Sequence, residues 1–360
     1  MIRRMARSAA SSPPSPPRRV LLIRPTALGD VARTVPALVS LRQAYPDARI
    51  DWLVNESFAD VVRHHPALSN VVPFPRQRFS AALTRPAVLR EMFAWARQLR
   101  HTQYDLAIDL QGLARSGFFA WLTRAPQRVG FADARELGWL GYNRRYHVNA
   151  VHTVDQMLGL VAAHGITPSR DMRLYLGEAD RQWRDQFLHE HSINDAPYAV
   201  VAPTARWLCK CWPIQSYAAV MQRLLDDSPI RHLFVVASPD EQRQIAPLRE
   251  TFAGNSVVHF PQTSVGKLMA LISGAALVLC NDSAALHIAV GFDRPIVTIF
   301  GPTDPAKVGP YRREETIVQP PGIRPEDMAD YRAKPHDQSL IARVSVDAVW
   351  EKVGTQLRVG

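Results

Sequence analysis

The stretch RVLLIRPTALGDVARTVPAL, residues 19–38, decides the fold class of this chain. It begins as an apolar run typical of a strand, passes through the pair Gly29-Asp30, and continues with the spacing of a helix. A strand followed at once by a helix is the first part of a βαβ unit, and such units build parallel sheets. Because the same alternation recurs in both halves of the chain, the sequence predicts an α/β protein.

The strand candidates form two blocks separated by a polar segment. The first block contains RVLLIR, RIDWLVN, NVVPF and YDLAIDL, and the second contains YAVVAP, HLFVVAS, VVHF, ALVLCND and PIVTIFG. Helical patterns lie between them; in PIQSYAAVMQRLLDD one face carries Tyr217, Val220, Met221 and Leu224. A chain of 360 residues also exceeds a usual single domain, so we expect two domains of about 150–180 residues.

We predict five segments along the chain. They are a disordered basic tail rich in proline and serine (1–18), a first α/β domain (19–170), a junction containing the helical EADRQWRDQFLHEH (171–194), a second α/β domain (195–345) and a closing amphipathic helix (346–360). The tail is rich in arginine and serine and has no acidic residue, so an organellar transit peptide stays open as an alternative.

The composition is that of a soluble globular protein, with 47% hydrophobic and 21% charged residues and no apolar run long enough for a membrane span. The formal charge is +10, and the five arginines of residues 1–20 supply half of it. The remainder suits an anionic small molecule or an anionic membrane surface at least as well as nucleic acid, and no nucleic-acid-binding module is recognisable. Three cysteines make no disulfide framework and predict a reducing cytosol.

Two doubly wound domains bind ligands in the cleft at the carboxyl ends of their strands, so residues that directly follow strands are candidates. After ALVLCND, a helix is predicted whose first turn is Ser283 to Leu286, and a helix N-terminus is a ready anion site. His287 lies close enough to face the same ligand. Asp282 and Ser283 could equally be ordinary helix caps, and His287 a structural histidine.

Two further residues follow strands of the second block. Lys210, in RWLCKCWP, could offer a point charge to a phosphate or be merely solvated. Cys209 and Cys211 flank it, but without further ligands nearby they predict no metal site. Glu241, in SPDEQRQ, could accept hydrogen bonds from a ribose or complement a helix dipole.

Arginines accumulate in segments of the first half that we predict to be loops. Such side chains match carboxylate and phosphate groups, so an acidic partner is plausible, and a solvated basic face is the alternative. The residues are Arg76, Arg78, Arg135, Arg144 and Arg145.

Asp30 has two interpretations. It could cap the helix that follows it. Alternatively, Thr34 and Pro36 mark the start of the regular helix, and Asp30 lies ahead of it in a loop, where it could act as a general base. The chain has no G-x-G-x-x-G after its first strand and no P-loop, which disfavours a conventional dinucleotide enzyme and a P-loop ATPase.

Several segments, in this order, resemble glycosyltransferase family 9, the bacterial heptosyltransferases, and most closely the lipopolysaccharide heptosyltransferase I type. They lie between about Arg19 and Tyr311 and read LGDVARTVPAL, YDLAIDLQGLARSG, YNRRYHV, RWLCKCWP, SPDE and NDSAALHIAVGFDRPIVTIFGPTDP. GPTDP alone would be weak evidence, whereas the ordered set is specific. The resemblance implies a GT-B fold: two Rossmann-like domains that face each other across a cleft, the first binding the acceptor and the second the nucleotide sugar.

The resemblance also implies roles for individual residues. Asp30 would deprotonate the acceptor hydroxyl, and Lys210 would assist catalysis at the donor diphosphate. The other donor-binding positions would be Thr204, Arg206, Glu241, Thr263, Asp282, Ser283, Ala284, Ala285 and His287, and the acceptor-binding positions Arg76, Arg78, Arg135 and Arg144. No metal ligands and no cofactor are expected, because the nucleotide sugar is itself the donor substrate.

This sequence departs from the family pattern at two places. Ser283-Ala284 stands where Thr-Gly is usual; serine keeps a hydroxyl and alanine keeps its N–H, but alanine would not suit a backbone with positive φ. Trp207 and Leu208 stand where the heptosyltransferase I type has acidic residues.

The resemblance implies an inverting glycosyltransferase that moves a heptose from ADP-heptose to the Kdo region of the inner core of a lipopolysaccharide precursor. Its expected partners are the donor, an anionic glycolipid acceptor and the inner leaflet of the inner membrane, with the protein a cytoplasmic, peripheral monomer. Two alternatives stay open. One is a family 9 enzyme with another nucleotide-sugar donor or glycan acceptor, and the other is a nucleotide-sugar epimerase or non-catalytic sugar-binding protein of the same fold.

Overall fold

The described part of the chain contains two parallel sheets of six strands each. The computed structural model describes residues 16–193, 195–328 and 333–359, so residues 1–15 of the predicted tail lie outside the described residues. The first sheet comprises β1 Arg19–Ile23, β2 Arg49–Asn55, β3 Asn70–Phe74, β4 Leu106–Asp109, β5 Gln127–Phe131 and β6 Arg144–Tyr146. The second comprises β7 Tyr198–Ala202, β8 His232–Val235, β9 Val258–His259, β10 Leu277–Asn281, β11 Ile296–Ile299 and β12 Ile317–Val318.

Both sheets have the same strand order. The first runs β3-β2-β1-β4-β5-β6, and the second, taken from its other edge, runs β9-β8-β7-β10-β11-β12. This is the doubly wound order of Rossmann-like domains, in which the winding reverses at the two central strands. The reversal falls between β1 and β4 in one sheet and between β7 and β10 in the other. Ligands bind beside the carboxyl ends of strands at such points.

Helices connect most of the parallel strands, because parallel neighbours need a crossover connection that is usually a helix. In the first half they are α1 Leu28–Ala44, α2 Asp60–Arg63, α3 Arg76–Phe79, α4 Pro86–His101, α5 Ala114–Leu122 and α6 Thr153–Ala163. In the second half they are α7 Glu178–Glu190, α8 Ile214–Asp227, α9 Ala246–Thr251, α10 Val265–Ser273, α11 Ala284–Gly291, α12 Pro305–Val308 and α13 Val346–Val359. Among the described residues, no helix is both long and apolar enough to cross a membrane.

The predicted strands and the face of α8 are confirmed, with shorter bounds for several strands. Tyr217, Val220, Met221 and Leu224 are all fully buried. The sequence interpretation missed β5, β6 and β12. Residues Arg144 and Arg145 therefore belong to an edge strand, and Arg76 and Arg78 to α3, so the prediction that these four arginines occupy loops is wrong. Short edge elements with exposed polar side chains lack the apolar run that identifies a strand. Arg135 does lie in a turn.

One of the hydrophobic core clusters spans both halves of the chain. Val20 in β1, Leu38 in α1, Leu160 in α6, Ile272 in α10 and Leu286 in α11 are all fully buried and belong to one cluster. Helices α1 and α11 pack directly against each other. Because α1 follows β1 and α11 follows β10, this contact brings the central, ligand-binding edges of the two sheets together.

We expect the stability of the fold to fall at acid pH because His65 is buried. His65 is buried, accepts the Ala67 N–H at Nδ1 (3.1 Å), and burial lowers its pKa to about 4. The folded state therefore keeps His65 neutral while the unfolded chain takes up a proton near pH 6.5. As the pH falls from 6.5 to 4, we expect a loss of roughly 3 kcal/mol of unfolding free energy from this group alone.

Urea unfolding measured across this pH range tests the expectation. His65→Asn retains an acceptor for the Ala67 N–H and should reduce the pH slope. His101→Asn, at the exposed end of α4, is the control and should leave it unchanged. An unaltered slope in His65→Asn would show that other groups cause the acid destabilisation.

Candidate active site

Asp30 lies in the first turn of α1, just beyond the carboxyl end of β1. The helix begins at Leu28 with Ala27 as its N-cap, and the Asp30 carboxylate accepts the Ala27 N–H at 3.0 Å. The alternative interpretation, in which Asp30 lies in a loop ahead of a helix starting near Thr34, is therefore wrong. Alanine has no capping side chain, so a carboxylate three residues later satisfies the free N–H instead.

Two buried arginines hold the Asp30 carboxylate. Arg24 contacts Oδ1 at 3.3 Å, and Arg33, one helical turn along α1, contacts the same oxygen. Burial alone would raise the pKa of Asp30, but the positive charges of Arg24 and Arg33 and the Ala27 N–H outweigh it and hold the pKa well below its usual range. Asp30 is therefore ionised throughout the physiological range.

Gly29 is required by the contact between α1 and α11. A Cβ atom on Gly29 would lie 2.7 Å from Cδ2 of His287, closer than real Cβ contacts. His287 is buried, its Nδ1 has no hydrogen-bond partner among the described residues, and burial lowers its pKa well below the usual value. A neutral imidazole, with a buried ring nitrogen still to be satisfied, thus lies between Asp30 and the second sheet.

The start of α11 has the properties of an anion site. Ser283 is its N-cap, yet the Ser283 hydroxyl makes no cap hydrogen bond and is buried without a partner among the described residues. The N–H groups of a first helical turn have no intrahelical partner and carry the positive end of the helix dipole. Ala284 is the first residue of α11 and has a negative φ, so alanine is compatible with this backbone.

Lys210 reaches the same place from the other central strand of the second sheet. It ends the short 3-10 turn Leu208–Lys210 after β7, and its Nζ contacts Oδ2 of Asp282 at 2.7 Å. Both side chains are largely buried, with 13% and 8% exposed. The ion pair fixes the ammonium group beside the N-terminus of α11, where positive charge from both elements converges.

Glu241 and Thr204 form a second pair of predicted donor residues. The Glu241 carboxylate accepts the Thr204 hydroxyl at 2.9 Å and the Ser238 N–H at 3.1 Å. The second bond completes a capping box of the 3-10 turn Pro239–Glu241, so the capping and ligand-binding interpretations of Glu241 are compatible. Thr263 follows β9. Arg206 is exposed, and its guanidinium lies 5.4 Å from the centre of the Trp207 ring. Among the described residues, neither Thr263 nor Arg206 forms a hydrogen bond or an ion pair with Thr204 or Glu241.

The predicted acceptor arginines do not form one cluster. Arg76 and Arg78 follow β3, and Arg78 pairs with Glu91 at 2.7 Å. Arg135 follows β5, which four strand spacings, or roughly 19 Å, separate from β3. Arg144 begins β6 and pairs with the middle of β5 rather than with its carboxyl end.

Arg135 and Arg24 instead line one polar cavity of about 340 Å³ at the carboxyl edge of the first sheet. Gln111, Thr153 and Gln156 also line it. The sequence interpretation missed Arg24, Arg33 and Gln111. The spacing of Arg33 three residues after Asp30 was the available signal, because residues three apart on a helix are neighbours. No sequence signal identifies Arg24 and Gln111, because they are brought together only by the pairing of β1 with β4.

Comparison with known proteins completes the identification. The sequence model described as glycosyltransferase family 9 (heptosyltransferase) matches residues 92–329. The chain belongs to glycosyltransferase family 9. This family 9 glycosyltransferase is 31% identical over 315 residues to lipopolysaccharide heptosyltransferase 1 of Escherichia coli K12, covering 84% of this chain and 94% of the relative. It is 30% identical to the protein of the same name from Pseudomonas aeruginosa PAO1, covering 82% of each.

Solved structures agree with the fold. E. coli heptosyltransferase WaaC with ADP-2-deoxy-2-fluoro heptose superimposes with a TM-score of 0.71 and 27% identity, covering 94% of this glycosyltransferase and 99% of WaaC. A family 9 glycosyl transferase from Veillonella parvula, at 20% identity and a TM-score of 0.79, shows the same fold. The two facing Rossmann-like domains are thus a GT-B fold.

The fit of Gly29 against His287 leads to a prediction. Gly29→Ala should push α1 and α11 apart and lower the unfolding free energy by about 1–3 kcal/mol, as overpacking does. A shift of roughly 1 Å between Asp30 and the α11 N-terminus should also lower kcat about 100-fold.

Gly354→Ala is the matched control for this substitution. Gly354 also lies within a helix, α13, but only the mobile end of Arg358 approaches its added Cβ, at 3.6 Å. This variant should keep full activity and gain up to about 1 kcal/mol of stability, because alanine favours helix. Wild-type kcat in Gly29→Ala would show that the site tolerates separation of the two helices.

Proposed function

We propose that this enzyme transfers a heptose, with inversion, from ADP-heptose to the Kdo region of a lipopolysaccharide precursor. The observation that carries this proposal is the packing of α1 on α11, which places Gly29, next to the ionised Asp30, against Ala284 and His287 of the helix whose N-terminus forms the phosphate-type anion site with Lys210. The names of the relatives, lipopolysaccharide heptosyltransferase 1, support the sugar and the acceptor.

In the reaction, the acceptor hydroxyl oxygen attacks the anomeric carbon of the heptose. The bond from that carbon to the diphosphate oxygen breaks, ADP leaves with the electron pair, and the hydroxyl proton passes to Asp30. Lys210, the Ser283 hydroxyl and the N–H groups at the start of α11 stabilise the charge that develops on the diphosphate. A diphosphate leaves readily with this help, so no general acid is needed.

The lowered pKa of Asp30 makes it a weak base in the unliganded enzyme. Arg24 lines the polar cavity, and its Nε, like Nε and NH1 of Arg33, has no hydrogen-bond partner among the described residues. We infer that an anionic group of the acceptor binds these arginines. Their charge is then shared with the acceptor, the pKa of Asp30 rises toward its usual value, and the base becomes effective only when the acceptor is bound.

The positive charge at the diphosphate comes from Lys210 and backbone N–H groups, so we propose that turnover needs no metal cofactor. Activity should be unchanged in EDTA, and stimulation by Mg²⁺ beyond the effect of ionic strength would contradict this. We also propose that the enzyme works as a monomer, peripherally bound at the cytoplasmic face of the inner membrane, where a lipopolysaccharide precursor would be presented.

Product analysis with purified enzyme tests the function. ADP-heptose is incubated with and without a Kdo-bearing lipid A precursor, and the products are identified by mass spectrometry. We expect a heptosylated acceptor and ADP only when both substrates are present. Transfer from another nucleotide sugar in preference to ADP-heptose would support the alternative donor. An epimerised sugar formed without acceptor would support the epimerase.

A further inference from the structure

The first half carries an apolar patch outside the proposed active site. It consists of Phe118 and Trp121 on α5 and of Leu137 and Leu140 near the 3-10 turn Gly138–Gly141. These side chains are 53%, 54%, 63% and 61% exposed, and together they line one open depression of about 480 Å³. Large apolar side chains that cluster at the surface usually mark a binding surface.

The backbone is shaped so that these side chains meet. Gly117 of α5 packs against Gly138 and Gly141, and a Cβ atom at any of the three would collide with backbone atoms of the opposite segment. In addition, Glu136 and Leu137 both adopt left-handed conformations, with φ of 56° and 61°. A left-handed leucine is an outlier that a protein keeps only where the surroundings enforce it. Here it directs an apolar side chain outward.

Positive charges flank the apolar patch. Arg115, Phe118 and Trp121 follow one another at intervals of three residues on α5, and Arg124 lies in the turn just after this helix, so an arginine stands on either side of the two aromatic residues in the chain. Both arginines are exposed, and neither forms an ion pair within the described part of the chain. Arg145 lies 5.0 Å above the ring of Trp139 in the adjacent turn. The acidic residue lining the depression, Glu136, accepts the N–H of Ala114 at the start of α5.

The apolar patch is next to the proposed acceptor cavity. Arg135 lines that cavity, and its N–H donates to the Gly112 carbonyl at 3.0 Å. Leu137 of the apolar patch comes only two residues later, and Ala114, which follows Gly112 by two residues, lines the apolar depression. A molecule held at the apolar patch would therefore lie beside the polar cavity.

We propose that the apolar patch and its flanking arginines dock the enzyme on an anionic lipid bilayer. Phe118, Trp121, Leu137 and Leu140 enter the boundary between head groups and acyl chains, and Arg115, Arg124 and Arg145 bind lipid phosphates. A second copy of the chain fits less well, because a symmetric contact would set these arginines against one another. The inference rests on the proposed function, in which the acceptor is a membrane lipid, and it assigns the surface that reaches it.

Co-sedimentation with vesicles that contain no acceptor tests the docking surface independently of catalysis. The probes are vesicles of phosphatidylcholine with 30% phosphatidylglycerol and vesicles of phosphatidylcholine alone. Wild-type enzyme should bind the anionic vesicles, and binding should weaken as salt rises. F118S/W121S should lower the partition coefficient at least tenfold, and R115Q/R124Q about thirtyfold at low salt, since each basic residue near an anionic surface contributes about a factor of five.

R231Q/R358Q is the matched control, because it removes two exposed arginines from the second half. It should bind vesicles nearly as wild type does. All variants should keep the wild-type Tm and wild-type turnover of an acceptor without acyl chains, and L140S replaces F118S/W121S if that variant fails to fold.

Three results would overturn the proposal. They are no binding of wild type to anionic vesicles, a loss of vesicle binding in R231Q/R358Q equal to that in R115Q/R124Q, or unchanged vesicle binding by F118S/W121S. A wild-type dimer in analytical ultracentrifugation that F118S/W121S abolishes would also overturn it, in favour of a second copy of the chain. Failure of heptosyl transfer with vesicle binding intact would instead contradict the proposed function alone.

Discussion

Asp30→Asn is expected to lower kcat about a thousandfold, which is within the contribution of a general base, while ADP binds with nearly wild-type affinity. Asparagine can still accept the Ala27 N–H, so the first turn of α1 should persist. It cannot take the acceptor proton, and it leaves Arg24 and Arg33 without their shared counter-charge. The unfolding free energy should therefore also fall, by roughly 3 kcal/mol. Steady-state kinetics and calorimetric ADP titration below the Tm separate the two effects.

Asp60→Asn is the matched control. Asp60 also lies in the first turn of a helix, α2, and pairs with an arginine three residues later, Arg63, but this pair is exposed. Both activity and stability should stay within experimental error of wild type, as for most exposed ion pairs. Near-normal kcat in Asp30→Asn would show that the proton goes elsewhere.

A second variant distinguishes a base from a structural carboxylate. Arg33→Met removes one of the two positive charges that lower the pKa of Asp30. The acid limb of the kcat profile, which reports the pKa of Asp30 with the substrates bound, should therefore move to higher pH. If Asp30 served only to hold the two arginines, this variant would change stability without moving the limb.

Lys210→Met should lower kcat by 100- to 1000-fold, the range typical for loss of one group that stabilises developing negative charge. The physical reason is that Nζ of Lys210 is held 2.7 Å from Asp282 beside the N-terminus of α11, where the diphosphate is proposed to leave. The single variant also leaves the largely buried Asp282 without its partner, which should destabilise the fold by several kcal/mol.

The double variant Lys210→Met/Asp282→Asn separates these contributions. It removes both charges, so the stability should largely recover while kcat stays low. Single-turnover kinetics with saturating donor would measure the chemical step directly. Recovery of wild-type turnover in the double variant would make the ion pair structural and leave the charge stabilisation to α11.

The sequence predicted the central parts of the fold and missed its margins. Strands such as RVLLI and YAVVA are buried on both faces of a parallel sheet, and their continuous apolar runs show this directly. β12 has two residues and β6 has three, and both are edge strands. So few residues carry no periodicity, and their pairing depends on neighbouring strands far away in the chain.

The same distinction applies to the candidate site. Ser283 comes two residues after β10, and Asp30 and Lys210 lie in the segments that connect β1 and β7 to the following helices, which the sequence order makes visible. Arg24 differs, because a single arginine between a strand and Pro25 looks like any surface residue until β4 is placed beside β1. The position of Asp30 within the helix was also hidden, since the rules for N-caps favour aspartate itself over the Ala27 found there.

The fit between Gly29 and His287 has a consequence for recombining members of this family. Chimaeras that exchange the first half of one enzyme for that of another would pair an α1 and an α11 that were selected against different partners. Such hybrids should succeed when the two helices are carried over together and fail when they are separated, even if each half is intact. The segment that must be exchanged as a unit is then a domain together with the helix that contacts it from across the cleft.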